Sequence, residues 1–364
     1  MSQQAFLLAQ EIQGYFETSG YWEYEKLLGS GSYGLAVLLR QKGEHGSHRH
    51  RMAVKVALAS SAQQLRSEIS WLKRLHGAKH IVQILASCDN LVQPDRELPP
   101  KLQHAPPMIG FIDQTAFSSL AGIQGPVLAL EYLENGDMLS LFKRMFNDDV
   151  RLPNRMLWSL YLCLIRACIG MAYPISRPIG TQSILETIPN DSTPPQGITH
   201  NDIAPRNIML GIEDELDEHH QGNIFKLIDF GEARTTADPN MGPSENLRAI
   251  SAYVAFFINM ADISQRQVVD YKGFGTTAGQ LLPQSWGEPY PWLDPDLAGL
   301  IAQCMYIDWK KRPTLQQALE RASDAVLSKS PYSFPEPEEE TDDAIIEFVQ
   351  EYVLDRLTIV AWAN

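Results

Sequence analysis

The sequence predicts an α+β fold of two unequal lobes, a small antiparallel β lobe followed by a larger, mainly helical one. Three observations carry this prediction. From Tyr24 to Leu58, strand-forming runs alternate with glycine-containing turns. From Gln64 to Leu75, apolar residues fall at Leu65, Ile69, Leu72 and Leu75, a helical spacing. Beyond Leu139 the pattern turns helical, and Met156 to Met171 is apolar on more than one face, the mark of a central core helix.

The elements follow in order. A short helical leader occupies residues 1–21 and the main domain 22–330, with its small lobe to about residue 133 and its large lobe from about 134. A strand starts at His80-Ile81-Val82, and Asn90 to Gly125, rich in Pro and polar residues, is an extended loop. Val127 to Leu133, mostly aliphatic, is a buried strand. Ser176 to Gly197 is a second Pro-rich excursion, and Gly211 to Gly222 is an acidic loop. Leu247 to Ile263 and Leu297 to Ile307 are buried helical segments. Residues 331–364 form an acidic linker (Pro335 to Asp343) and a helix from Ala344 to Val360, expected to dock on the chain's own large lobe or on a partner.

At 364 residues and 44% apolar content the chain is long enough to bury a substantial core. A net charge of −14 argues against nucleic acid or an anionic membrane surface as a partner. The four cysteines, Cys88, Cys163, Cys168 and Cys304, form no zinc-like pairs and read as reduced core thiols of a cytoplasmic or nuclear protein. MSQQAFLLAQEIQG has neither the basic start nor the apolar core of a secretory signal. Arg166 interrupts the segment closest to a membrane span, Met156 to Tyr173.

Three stretches could carry chemistry. In LGSGSYGLAV, Gly29, Ser30, Gly31 and Gly34 form a turn whose backbone can approach a ligand, since glycine has no Cβ to hold it away. Taken alone, such glycines equally make a plain tight hairpin. In MAVKVAL, Lys55 sits inside an apolar strand, where an unpaired ammonium is costly. Glu68, on the apolar side of the next helix, can pair with it, although a snorkelling lysine is an alternative. In KLIDFGEAR, Asp229 stands where a strand opens onto a loop, a place suited to a hard cation or simply to a turn. Finally ITHNDIAPRNIML places Asp202 and Asn207 five residues apart.

Taken in order, Gly29/Gly31/Gly34, Ala53/Lys55, Glu68, His200/Asp202/Asn207 and Asp229/Phe230/Gly231 resemble the signature of the protein kinase family. The resemblance spans about Tyr24 to Ser328. It includes Leu130-Glu131-Tyr132-Leu133, similar to the inter-lobe hinge, and Arg312-Pro313-Thr314, similar to a late segment of the family. It implies a protein-kinase-like two-lobed fold with ATP and Mg2+ as cofactors. Asp202 would be the catalytic base, with Arg206 supplying a charge beside it. Asn207 and Asp229 would hold Mg2+, and Lys55, braced by Glu68, would contact the phosphates under the glycine loop. Adenine would lie between Ala36 and Ala53 on one side and Met209 on the other, its edge on the backbone from Glu131 to Leu133. Leu130 would guard the deeper pocket. His200, Phe230 and Leu72 would be packing residues.

The chain departs from the family on the acceptor side. Asn201 replaces the usual Arg beside the base, and Ala204 replaces the lysine usual in serine/threonine kinases. No Ala-Pro-Glu follows Asp229, so Arg312 has no evident glutamate partner from that motif, and only sixteen residues separate Asp229 from Asn246, where the family usually has a buried Asp. The reading is an ATP-dependent phosphotransferase acting on an unidentified protein hydroxyl, Ser/Thr ahead of Tyr. A small-alcohol kinase of the aminoglycoside or choline kinase type and a pseudokinase scaffold are the alternatives.

Overall fold

The alternation of apolar and polar residues in the first third of the chain is realised as strands in the computed structural model. It describes residues 2–31, 34–43, 50–90, 118–212, 218–219, 223–259, 267–285 and 287–354. They divide into two compact units. The first holds the chain to Tyr132 with Ile175–Ile184 and Asp229–Ala233. The second holds Leu133–Pro174, Leu185–Ile228 and the chain from Arg234 onward.

In the first unit, Ser2 caps helix α1 (Gln3–Glu17) by accepting from the Ala5 N–H. Strands β1 (Trp22–Ser30), β2 (Gly34–Gln41) and β3 (Arg51–Ala57), helix α2 (Ala62–Leu75), and strands β4 (Ile84–Asn90) and β5 (Gly125–Glu131) follow. The strands form one antiparallel sheet in the order β1-β2-β3-β5-β4. Side chains alternate between its faces. Leu35, Val37, Leu39, Met52, Val54 and Val56 form one cluster with Ile12 and Phe16 of α1 and with Trp22. Burial of each large side chain contributes about 1.5–3 kcal/mol, which fastens α1 to the sheet. Ala36, Ala53 and Lys55 fall at the alternate positions, and the register sets Ala36 and Leu128 opposite Lys55. Helix α2 buries Leu65, Glu68, Ile69, Leu72 and Leu75 along one stripe.

The fourth strand starts at Ile84 and not at His80. Gln83 is the cause: its buried amide accepts from Gly77 N at 3.0 Å and donates to Ala78 O and Ile81 O at 2.7 and 2.5 Å, which ties residues 77–83 into a turn. The loop expected from Asn90 to Gly125 lies mostly outside the described residues.

The second unit is mainly helical. Its elements are α3 (Met138–Asp148), α4 (Asn154–Ala172), β6 (Ile198–Thr199), β7 (Ile208–Ile212), β8 (Asn223–Leu227), β9 (Arg234–Thr235) and α5 (Met241–Asn259). After these come β10 (Val269–Tyr271), β11 (Phe274–Thr276), α6 (Pro295–Cys304), α7 (Leu315–Ser328) and α8 (Asp342–Phe348). Helix α4 is the core. By length and composition it could cross a membrane, and 89% of that window is buried inside the protein. It packs on α5, α7 and β8. Helix α5 starts at Met241, six residues before the expected Leu247, while Ile263 and most of the acidic 211–222 loop lie outside the described residues.

Residues 335–343 do more than link. Glu340 is buried, and its carboxylate accepts from Asn154 N and Nδ2 at 2.7 and 2.9 Å and from Arg155 N at 2.9 Å. It therefore caps α4, whose preceding residue, Pro153, offers no side-chain cap. Helix α8 continues into a wider turn through Val353. There Arg144 donates to Tyr352 O at 2.9 and 2.7 Å and Val353 is buried. Residues 355–360 of the expected tail helix lie outside the described residues.

Candidate functional site

The expected site residues fall into two groups, one in each unit. In the first unit, Lys55 Nζ is 2.7 Å from Glu68 Oε1 and 3.5 Å from Asp229 Oδ1. Strand alternation turns Lys55 to the face of the sheet that α2 covers, and Glu68, three residues after Leu65, shares that helix's inward stripe. Burial opposes the ammonium, but the two carboxylates outweigh it and hold the Lys55 pKa above its ordinary value. Burial also raises the Glu68 pKa, and the Lys55 charge pulls it back only in part.

Asp229 is unlike Glu68 in two ways. Its side chain is 43% exposed, so one cation is shared between an enclosed carboxylate and an open one. Its backbone is left-handed, at φ 65°, a conformation that costs a non-glycine residue roughly 1–2 kcal/mol. Phe230, next to it, is fully buried, and its backbone N–H bonds to Glu68, which anchors the turn.

The glycines of the first loop divide. Gly31 N donates to Gly34 O at 2.9 Å, closing the hairpin. A Cβ on Gly34 would lie 2.3 Å from Val56 O, so the sheet itself demands glycine there, whereas a Cβ on Gly29 or Gly31 would meet open space. Ser30 is exposed; Ser32 and Tyr33 lie outside the described residues. Ala36 and Ala53 are half-buried, with Leu130 opposite Ala53. Glu131 exchanges bonds with Gln83, its N–H to Gln83 O at 3.0 Å and its Oε1 from Gln83 N at 2.8 Å.

In the second unit, the loop from β6 to β7 carries Asp202, Arg206 and Asn207 together. Asn207 Nδ2 donates to Asp202 O at 2.8 Å and to Asp202 Oδ2 at 2.9 Å. A carbonyl can only accept, so the amide orientation is fixed and the Asn207 Oδ1 is turned away from these bonds. Arg206 Nη2 donates to Asp202 Oδ1 at 2.5 Å, across an exposed surface. Both Asp202 oxygens are thereby oriented. Met209, on β7, is half-buried, and the neighbouring Leu133 is buried.

His200 is fully buried. Its Nδ1 accepts from Asp202 N at 3.2 Å, which leaves Nε2 as the donor to Ile228 O at 3.0 Å. Both ring nitrogens are occupied in holding the loop, which makes His200 a structural residue.

Two polar contacts go beyond the sequence reading. Arg312 does have a glutamate partner: Nη1 lies 2.8 Å from Glu245 Oε1, while Nε donates to Tyr306 O at 2.8 Å. Its neighbour Asn246, buried, accepts from His200 N at 3.0 Å and donates to Ile198 O at 2.8 Å, clamping the strand that leads into the Asp202 loop. The only local signal for either contact is the Glu245-Asn246 pair at the start of a helix, and it gives no indication of the distant partner. Glu340 was missed for the same reason.

From Asp229 to α5 the chain is short and tightly fixed. β9 pairs with β6, and Thr236 donates through N and Oγ1 to Gly197 O at 2.7 and 2.9 Å. A Cβ on Gly197 would lie 2.4 Å from Thr236 Oγ1, so close approach requires glycine.

These features define a two-lobed α+β protein with a shared-cation carboxylate pair in one unit and an oriented Asp–Asn pair in the other. Set against known proteins, the chain matches no family model and no curated protein sequence.

Proposed function

We propose that this chain is an ATP-dependent phosphotransferase of the protein-kinase type, moving the γ-phosphate of Mg-ATP to a protein hydroxyl, serine or threonine ahead of tyrosine. One observation carries the reading: Lys55 is held at 2.7 Å by the enclosed Glu68 and at 3.5 Å by Asp229, an open carboxylate on a left-handed backbone. A structural ion pair needs no second, exposed carboxylate, whereas a metal does need oxygen ligands that face outward. Backbone strain of this kind is worth retaining where it aims a side chain.

The other residues take roles that fit their surroundings. By the kinase resemblance, Asp229 and Asn207, whose Oδ1 is left unused by the bonds to Asp202, would supply oxygens to Mg2+. Lys55, kept charged by its carboxylates, neutralises phosphate oxygens. Asp202, with one oxygen oriented by Asn207 and the other by Arg206, accepts the proton of the attacking hydroxyl. Gly29 and Gly31, which no packing contact requires, let the loop backbone close on the phosphates. Ala36, Ala53, Met209 and the backbone from Glu131 to Leu133 receive the adenine. Catalysis of this class works by alignment and charge neutralisation, with little covalent chemistry from the protein.

A specific observation favours a second acceptor class, a small alcohol: α5 begins at Met241, twelve positions after Asp229, and the residues between are pinned to β6 and Gly197. That leaves little chain to shelve a peptide. Radiolabelled phosphate transfer from ATP to generic Ser/Thr and Tyr peptides, beside a panel of small alcohols, separates the two acceptors. Asp202→Ala is the control. Transfer to peptide, lost in the variant, supports the first reading, and transfer to alcohols alone supports the second. Absence of transfer to either, with Mg-ATP still bound, would make the chain a binding scaffold.

A further inference from the structure

A cavity of about 470 Å3 opens in the helical unit between the start of α5, the segment running into α7, and the loop around Tyr173. It is within the size range of small-molecule sites. A second hollow in the same unit, beside Trp158, has room for about 40 Å3, little more than a water.

The lining of the larger cavity runs against the charge of the chain. The protein carries −14 net, yet the described residues that line the cavity include two cations, Lys310 and Arg312, and no carboxylate. Arg312 is the informative one. Its side chain is only 4% exposed, and Nε and Nη1 carry all its hydrogen bonds to described residues, namely those to Tyr306 O, Ser244 and Glu245. Its Nη2 amino group forms none of these bonds, although the residue lines the cavity. Nη2 is not among the enclosed polar atoms that lack a partner, so this end of the guanidinium remains accessible and can donate a charge-assisted bond to an anion.

Two further donors converge there. Helix α7 starts at the wall: Thr314 caps Gln317 N, and the Leu315 and Gln316 N–H groups belong to the first turn, which has no acceptor within the helix. Such a turn attracts negative charge. Lys310 Nζ rests 5.6 Å from the Trp309 ring centre, an exposed ammonium that can swing to a ligand. Most of the remaining wall is apolar, with the Trp309 and Tyr173 rings and Pro243 in it, beside the polar Asn240 and Ser244.

We infer that this cavity is a binding site for a small aromatic anion, its carboxylate or phosphate head on Arg312 Nη2, Lys310 and the first turn of α7, and its ring against Trp309 and Tyr173. The site lies on residues that the proposed phosphotransfer does not use.

Calorimetric titration of the full chain with 2-naphthoate, 2-naphthyl phosphate and the neutral 2-naphthamide tests this. Both anions, or one of them, should bind saturably and about tenfold or more tighter than the amide, and the stronger of the two identifies the head group. Lys310→Glu and Gln316→Glu should each weaken anion binding about tenfold. Gln316→Glu places an acid in the helix first turn and gives up only an exposed bond to Glu320, a weak helix-surface pair, so an unchanged melting temperature with lost binding reports on the site. Equal affinity for the amide, binding unchanged in both variants, or no saturation up to millimolar anion would each overturn the assignment.

Discussion

Two buried ion pairs in this protein look alike and do different things. Arg166, inside the core helix α4, is paired through Nε to Glu218 at 3.0 Å and through Nη2 to the same carboxylate, and it donates to Glu186 O at 2.6 Å. Its charge is enclosed, with both partners under a tenth exposed. Lys55 and Glu68 are also close, but a third group, Asp229, leans on the same ammonium from a half-open position. A closed pair balances itself and fixes packing. A pair with one carboxylate too many is set to accept another cation. In the proposed function, the surplus carboxylate, and not the burial of the pair, is what gives the second its role.

The comparison can be broken or sharpened by substitution. The largest effect is expected from Asp229→Asn, which should lower phosphoryl transfer about 1,000-fold, since removing one charge-stabilising group from such a site costs about 100- to 1,000-fold or more. Its melting temperature should stay near that of the parent, because Asn tolerates a left-handed backbone. Retention of full activity would remove the metal assignment. Arg166→Met is the converse case. Urea unfolding should show a loss of about 3–5 kcal/mol, as a buried carboxylate loses its cation, and any variant protein that stays folded should keep its nucleotide affinity.

Lys55→Met should abolish most activity and also make stability depend on pH. Without its ammonium, Glu68 is left with burial and the Asp229 charge, both of which raise its pKa above the ordinary 4.5. A raised folded-state value means that the contribution to stability is complete below about pH 4.5 and is lost as pH climbs through the folded value. Chemical denaturation should therefore find the variant's deficit larger at pH 8 than at pH 5, and an equal deficit at both would show that Glu68 has another partner. The smallest effects separate the glycines. Gly34→Ala should cost about 1–3 kcal/mol because of its collision with Val56 O. Gly31→Ala should stay within about 0.5 kcal/mol in thermal melts while weakening ATP binding.

Much of this arrangement was legible before any coordinates. Alternation in MAVKVAL places Lys55 with Ala53 and opposite Val54, which makes a counter-charge necessary, and the spacing of α2 puts Glu68 on the right stripe. The sheet and the core helix follow from period and apolarity. What was not legible is the set of polar contacts between residues far apart in the chain. Glu340 caps a helix 186 positions earlier, and Arg312 finds Glu245 67 positions away. Such pairings leave no local period, because only the fold brings the donor to the acceptor. Gln83 shows the same limit at short range: a strand-like run became a turn because one amide satisfied three backbone groups.

The most direct measurement is calorimetric titration of the full chain with ATP, with and without Mg2+, on the parent and on Asp229→Asn. The account predicts saturable binding that Mg2+ strengthens in the parent, and a variant in which that strengthening is gone. Binding indifferent to Mg2+ in the parent, or no binding of ATP under either condition, would contradict it.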